Sequence, residues 1–272
     1  MSHSSTDAEP QHAEPPQTLK VGTAAKSRSI AYRQNPSKRD DGLGLIWLAG
    51  LKSDMLSTKA SALAEWAPLQ GLGLTRFDYS GHGESSGRFE DAVISDWVEE
   101  AGTILEKVTT GPQILVGSST GGQVGLVLLR QLLRSAPEQA SRIKGLVLIA
   151  PAWDLTEELM WAKFPEDGRQ AILQQGYYDM PSDYGEPYRI TRAFIEDGRR
   201  DLIKPDPFNP GCPIRVLQGV LDDAVPVDHT RALPDILLGD WVHITEIPEG
   251  DHRLSRPEDI ELLFSEVLDV TR

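Results

Sequence analysis

Seven short apolar segments punctuate the chain: SIAYR, LGLIWLA, LTRFDY, QILVG, GLVLIA, IRVLQG and VHITEI. Runs of this length, rich in Val, Ile and Leu and bounded by Gly, Pro or charged residues, read as β-strands. The most apolar of them leave no polar face, which predicts central strands covered on both sides, as in a parallel sheet. Helical spacing fills the gaps. Val93, Trp97, Ile104, Leu105 and Val108 fall on one helical face before QILVG, and Gly121 to Arg134 is apolar nearly all round, as in a buried helix. The last helix is predicted to open with a capping box of Ser255 and Glu258 around Pro257, followed by Ile260, Leu263, Phe264, Val267 and Leu268 at helical spacing. Alternating strands and helices predict an α/β fold, a mostly parallel central sheet flanked by helices.

Two regions break the alternation. The first, MSHSSTDAEPQHAEPPQTLK, has almost no large apolar residue, cannot offset its ordering entropy, and is expected to belong to a disordered tail over 1–28, ahead of one domain over 29–272. The second, about 152–212, loses its strand signals and gathers Pro, Gly and aromatic residues; it reads as a helical cap insertion, since a structureless loop that long is improbable.

Composition narrows the chemistry. The 272 residues and 39% hydrophobic content suffice for one large core, and a formal charge of -14 opposes nucleic-acid binding, which needs clustered Lys and Arg. The single cysteine, Cys212, excludes an intramolecular disulfide and a cysteine-based zinc cluster, and fits a reducing compartment. Residues 1 to 28 contain no apolar signal core and carry Asp7, Glu9 and Glu14, and no run approaches the roughly 18 apolar residues of a membrane span. A cytoplasmic protein with no membrane span is the expectation.

The segment QILVGSSTGGQVGLVLLR reads as strand, sharp turn and helix, with Gly117, Ser119 and Gly121 matching G-x-S-x-G. Such a turn strains the serine backbone, and the flanking glycines are required because a Cβ would collide with strand or helix. Ser119 is thereby presented at a helix N-terminus as a candidate nucleophile, while Ser118 stands one place too early and reads as a packing or hydrogen-bonding residue. A serine hydroxyl needs a base, and histidine has the suitable pKa. His3 and His12 lie in the tail, His229 in a predicted helix and His243 in a strand. His252 stands apart, in the loop IPEGDHRLSRPED between the last strand and the last helix. Its orienting carboxylate is expected after IRVLQG, where QGVLDDAVP offers Asp222 and Asp223, the first favoured. Oxyanion donors are expected from the amides of Thr120, which follows the nucleophile, and Leu51, in the loop after LIWLA.

His82, in FDYSGHGESSG, lacks the converging ligands of a metal site and reads as structural, and Asp78 reads as a buried hydrogen-bonding residue. No metal is expected.

WLAGLKSDM, FDYSGHGESSG, GPQILVGSSTGG, CPIRVLQGVLDDAVP and GDHRLSRPEDI together resemble the α/β-hydrolase fold, over roughly Ser29 to Val270. GPQILVGSS, CPIR with DDAVP, and DHR before the last helix are similar to one subgroup, the mitochondrial acyl-protein thioesterases and acyl-glucuronide esterases of animals with their bacterial relatives. The resemblance implies Ser119, Asp222 and His252 as a triad, supports Asp222 over Asp223, and implies hydrolysis of thioesters or carboxylic esters without metal or organic cofactor. Ala49 departs from the wider pattern, in which many relatives carry His before the glycine.

Aromatic residues gather in the cap, among them Trp153, Trp161, Phe164, Tyr177, Tyr178, Tyr184, Tyr188 and Phe194. They read either as an apolar acyl pocket, with Trp153, Trp161 and Tyr178 as substrate contacts, or as rings fastening the cap to the body. Lys163, Arg169, Arg189 and Arg192 read as a match for an acidic leaving group or as solvated charge. The partner is expected to be a small-molecule or acylated-protein substrate. The alternatives are a ligand sensor with little turnover, or a C–C bond hydrolase or peroxidase-like enzyme on the same fold.

Overall fold

The computed structural model describes residues 15–181 and 186–272. Its main sheet holds β1 (Gln17–Val21), β2 (Arg28–Asn35), β3 (Gly44–Leu48), β4 (Gly73–Phe77), β5 (Gln113–Ser118), β6 (Ile143–Ile149), β9 (Ile214–Gly219) and β10 (Val242–Ile247) in the order β1-β2-β4-β3-β5-β6-β9-β10. From β4 to β10 all neighbours are parallel; β2 runs antiparallel to β4, and β1 to β2. All seven expected strands are present. β3 and β5, apolar along their whole length, are buried at every residue.

Helices cover both faces: α1 (Thr58–Trp66), α2 (Ile94–Lys107), α3 (Thr120–Ser135), α4 (Pro137–Ala140), α5 (Glu166–Gln175), α6 (Arg192–Gly198), α7 (Val227–Arg231), α8 (Leu233–Ile236) and α9 (Pro257–Val270). α3 is buried from Thr120 through Arg130, as its all-round apolar pattern implies, and α2 buries Trp97, Ile104 and Leu105. The chain leaves β3 toward β4 on one side and leaves β5 toward β6 on the other. The ends of β3 and β5 therefore form the switch point at which open α/β sheets bind ligands. No helix among the described residues is long and apolar enough to cross a membrane.

Three expectations are corrected. The tail reading of 1–28 fails from Gln17 onward, because β1 pairs with β2 from Gln17↔Tyr32 to Val21↔Arg28. Only Val21 of this edge strand is buried, so its hydrophobic signal is weak and the partner's hydrogen-bond ladder decides its structure. The remainder of the tail reading, over 1–14, lies outside the described residues. The cap between β6 and β9 holds strands as well as helices, a hairpin of β7 (Tyr177–Met180) and β8 (Tyr188–Thr191) pinned by the Arg189–Asp179 ion pair at 2.8 Å. Four-residue strands of mixed polarity carry no clear period. α9 begins one residue later than the expected box: Asp259, not Glu258, accepts the Arg256 N–H at 3.0 Å and also holds its guanidinium.

The cap is tied at its root. Asp154 accepts the N–H groups of Ile203 (2.6 Å) and Lys204 (3.0 Å), which joins the start of the insertion to its end, and burial raises its pKa. Asp197 on α6 accepts from the Ser95 amide and hydroxyl, both at 2.8 Å, fastening the cap to α2.

Candidate active site

β5 enters α3 through a single strained residue. Ser119 has φ 53° and ψ -116°, and its N–H donates to the Ile149 carbonyl at 2.8 Å, so neighbouring β6 holds the turn. The glycines on either side are sterically required. A Cβ on Gly117 would lie 2.6 Å from the Gly121 carbonyl oxygen, and one on Gly121 would lie 2.0 Å from that of Leu48 on β3. The serine side chain, half-buried, projects at the start of α3 beyond the sheet edge. Ser118 closes β5 opposite Ile149 and is buried.

The loops after β9 and β10 meet this turn. His252 Nε2 lies 3.2 Å from Ser119 Oγ, and His252 Nδ1 lies 2.8 Å from Asp222 Oδ2. Asp222 is buried, its Oδ1 accepting the amides of Ala224 (2.9 Å) and Val225 (2.8 Å), whereas Asp223 is exposed at the cavity rim. The Leu221 N–H donates to the Gly250 carbonyl at 2.9 Å, which brings the two loops together. Gln218 was not anticipated. Fully buried near the end of β9, it donates to Asp222 Oδ2 (3.3 Å) and to the Val225 carbonyl (3.0 Å), and accepts from the Thr230 hydroxyl (2.6 Å). A glutamine directly after the apolar Val216–Leu217 pair of this strand is the signal that could have found it. Lys59 on α1 was missed too. Its ammonium donates to the carbonyl of Arg253, beside His252, and desolvation lowers its pKa to about 8.

Leu51 and Thr120 both line the cavity above Ser119. Thr120 is the first residue of α3, where a backbone N–H has no carbonyl partner within the helix. The Leu51 loop lies close by, since a Cβ on Gly50 would sit 3.4 Å from Ser119 Cβ. Ala49 is buried and contributes no polar side chain there. This arrangement suits acyl transfer: a hydroxyl, a base oriented by a buried carboxylate, and amides near the reacting atom.

The cavity has a volume of about 880 Å³. Its cap side carries Leu155, Leu159, Met160, Phe164, Tyr178 and Met180. Of the three residues expected as substrate contacts, Tyr178 lines the cavity and the two tryptophans do not. Trp153 is buried away from the cavity, stacked on His229 at 4.0 Å with its Nε1–H donating to the His229 carbonyl at 3.0 Å. Trp161 packs under the Arg199 guanidinium at 4.6 Å and does not line the cavity. Both choices rested on aromatic enrichment, which does not distinguish rings facing a cavity from rings fastening the cap. Tyr184 lies outside the described residues. Of the four cap cations only Lys163 lines the cavity; Arg169, Arg189 and Arg192 pair with Glu166, Asp179 and Glu196.

Asp78 is buried, accepting the N–H groups of Met55 (2.7 Å) and Glu84 (2.8 Å), with a pKa raised by desolvation. His82 is buried among Tyr79, Phe89 and Trp97.

Comparison with known proteins agrees with this architecture. Residues 44–261 match the alpha/beta hydrolase family model. The chain belongs to that family. It is 31% identical over 244 residues to human palmitoyl-protein thioesterase ABHD10, mitochondrial, a match covering 89% of this chain and 76% of the human protein. Among solved structures, a putative hydrolase from Agrobacterium vitis S4 superposes with TM-score 0.90 at 38% identity, covering 94% of this chain and 98% of the other. Mouse alpha/beta hydrolase domain-containing protein 10 superposes with TM-score 0.80 at 29% identity and the same coverage. The protein is an enzyme of the ester- or thioester-hydrolase kind.

Proposed function

We propose that the protein cleaves acyl esters or thioesters through a Ser119–His252–Asp222 triad and an acyl-enzyme. The observation that carries this reading is the unbroken line from Asp222 Oδ2 through His252 to Ser119 Oγ, at 2.8 and 3.2 Å, opening on an apolar cavity. Ser119 Oγ attacks the acyl carbonyl carbon and passes its proton to His252 Nε2. Asp222 holds the imidazole with Nδ1–H toward it and stabilises the imidazolium that forms. The amides of Thr120 and Leu51 donate to the tetrahedral oxyanion. Collapse expels the alcohol or thiol, which leaves with the proton from His252, and water then deacylates Ser119 by the same route.

The apolar side of the cavity suits an acyl chain, with Tyr178 as a substrate contact. The names of the mammalian relatives favour a long-chain thioester, carried by a small molecule or a protein. A cytoplasmic location is part of this proposal, and cell fractionation checks it against the mitochondrial location in the relatives' names.

The test is a panel of acyl-CoA, S-acyl peptide, aryl ester and acyl glucuronide, run on wild type and Ser119→Ala. Turnover of an ester or thioester by wild type and none by the variant is expected. Tight binding without turnover by wild type would favour a sensor instead.

A further inference from the structure

The loop after β3 holds a strained turn that the triad does not explain. Gly50 to Ser53 is closed by the Ser53 N–H donating to the Gly50 carbonyl at 3.1 Å, and Lys52 sits at φ 57°. Left-handed backbone at the third position, with Leu51 outside that region, is the pattern of a type II turn, where glycine or asparagine is the usual residue. A lysine keeps such a conformation only where its surroundings impose it.

His82 supplies the constraint. Its Nε2 accepts the Lys52 N–H at 3.0 Å, while the Lys52 ammonium lies 4.3 Å from the centroid of Phe89, a ring that also packs edge-on against His82. The imidazole is itself fixed. Nδ1–H donates to the Ser80 carbonyl at 3.2 Å, which selects the tautomer with an Nε2 lone pair free to accept. Ser80 is anchored in turn, its N–H donating to Glu100 Oε2 at 2.9 Å, while Glu100 Oε1 accepts from Arg28 Nε at 2.6 Å. Burial lowers the His82 pKa to about 4, so at neutral pH the ring remains an acceptor. His82 does not line the cavity.

We propose that His82 is a positioning residue for the oxyanion loop: by accepting the Lys52 N–H it holds the left-handed turn at Lys52, and that turn holds the preceding Gly50–Leu51 peptide, which carries the Leu51 N–H. The inference rests on the proposed role of Leu51 as an oxyanion donor. Without the acceptor, the Gly50–Ser53 turn is free to relax out of the left-handed conformation at Lys52, and that relaxation carries the Gly50–Leu51 peptide, with its Leu51 N–H, off the oxyanion.

The test compares kcat, KM and thermal midpoint for wild type, His82→Leu, His82→Gln and the double variant His82→Leu/Lys52→Gly on one aryl ester. Loss of a single oxyanion donor typically costs on the order of 10² in kcat, so His82→Leu should fall by about that factor with KM within about threefold. His82→Gln, whose Oε1 can accept the same N–H, should stay within about tenfold of wild type. Adding Lys52→Gly should recover about tenfold, because glycine adopts the left-handed turn unaided. Packing alone predicts equal losses in Leu and Gln, tracking the thermal midpoint, with no recovery from glycine. That result, or wild-type kcat in His82→Leu, overturns the proposal. Should His82→Leu fail to fold, His82→Asn, too short to reach the Lys52 N–H, replaces it in both variants. Full activity in Ser119→Ala would instead overturn the proposed function itself, and an inactive Ser119→Ala beside a normal His82→Leu overturns only the positioning role.

Discussion

Around Ser119 the backbone leaves no freedom: strand, turn and helix approach so closely that Gly117 and Gly121 admit no Cβ, and the serine carries a positive φ. The cap is held differently. Asp154 joins its two ends, and Asp197 and Trp153 fasten it to the body, while its inner surface is a set of apolar side chains around a cavity. On the proposed function, the difference separates two tasks. Reacting atoms must be held to a fraction of an ångström, which close-packed backbone achieves, whereas acyl-chain recognition needs only volume and apolarity.

The largest effect belongs to the rigid region. Ser119→Ala should lower kcat by on the order of 10⁶, by analogy with other triads, and abolish labelling by a fluorophosphonate. Retained activity, or labelling mapped to Ser118, would place the nucleophile elsewhere. Asp222→Asn should cost roughly 10⁴ in kcat with the fold intact, because the amide favours the wrong imidazole tautomer. The exposed Asp223 should tolerate Asn with little change, and steady-state kinetics on the pair tells them apart. Gly121→Ala should destabilise by about 1–3 kcal/mol through the clash with Leu48, read from urea unfolding.

Changes in the cap should be gentler. In wild type, kcat/KM should climb with acyl length, by at most about 0.8 kcal/mol for each buried methylene, until the cavity is full. Tyr178→Ala should flatten that rise, and Trp161→Ala, away from the cavity, should not. Equal flattening by both would mean that the cap responds as a unit and not through its lining. The smallest effect concerns the cap root, where His229 stacks on Trp153 and burial lowers its pKa from 6.5 to about 4. Between those values the unfolded chain binds the extra proton, so this contribution is complete above pH 6.5 and lost as pH falls toward 4. The thermal midpoint of wild type should therefore drop more steeply over that window than that of His229→Gln.

The two regions also differ in how they show in the sequence. The Ser119 turn was legible because its constraint is local: apolar strand, glycines at fixed offsets, apolar helix. The cap was legible only as an interruption. Its hairpin lacks a clear period, and nothing in the composition separates Tyr178, which faces the cavity, from Trp153, which faces His229. β1 escaped for a related reason, since its order comes from pairing with β2 and not from its own burial.

By itself the sequence determined the α/β alternation, the buried central strands, the elbow at Ser119 and the positions of Asp222 and His252 in loops after late strands. These follow from short-range patterns in which residue type and spacing carry the physics. Only the tertiary structure decided which aspartate reaches His252, because both stand side by side in the chain and are distinguished by burial and by the amides of Ala224 and Val225. It also decided what His82 touches. The Lys52 N–H lies 30 residues away in sequence and 3.0 Å away in space, a proximity that arises only when the loops after β3 and β4 fold onto the same edge of the sheet.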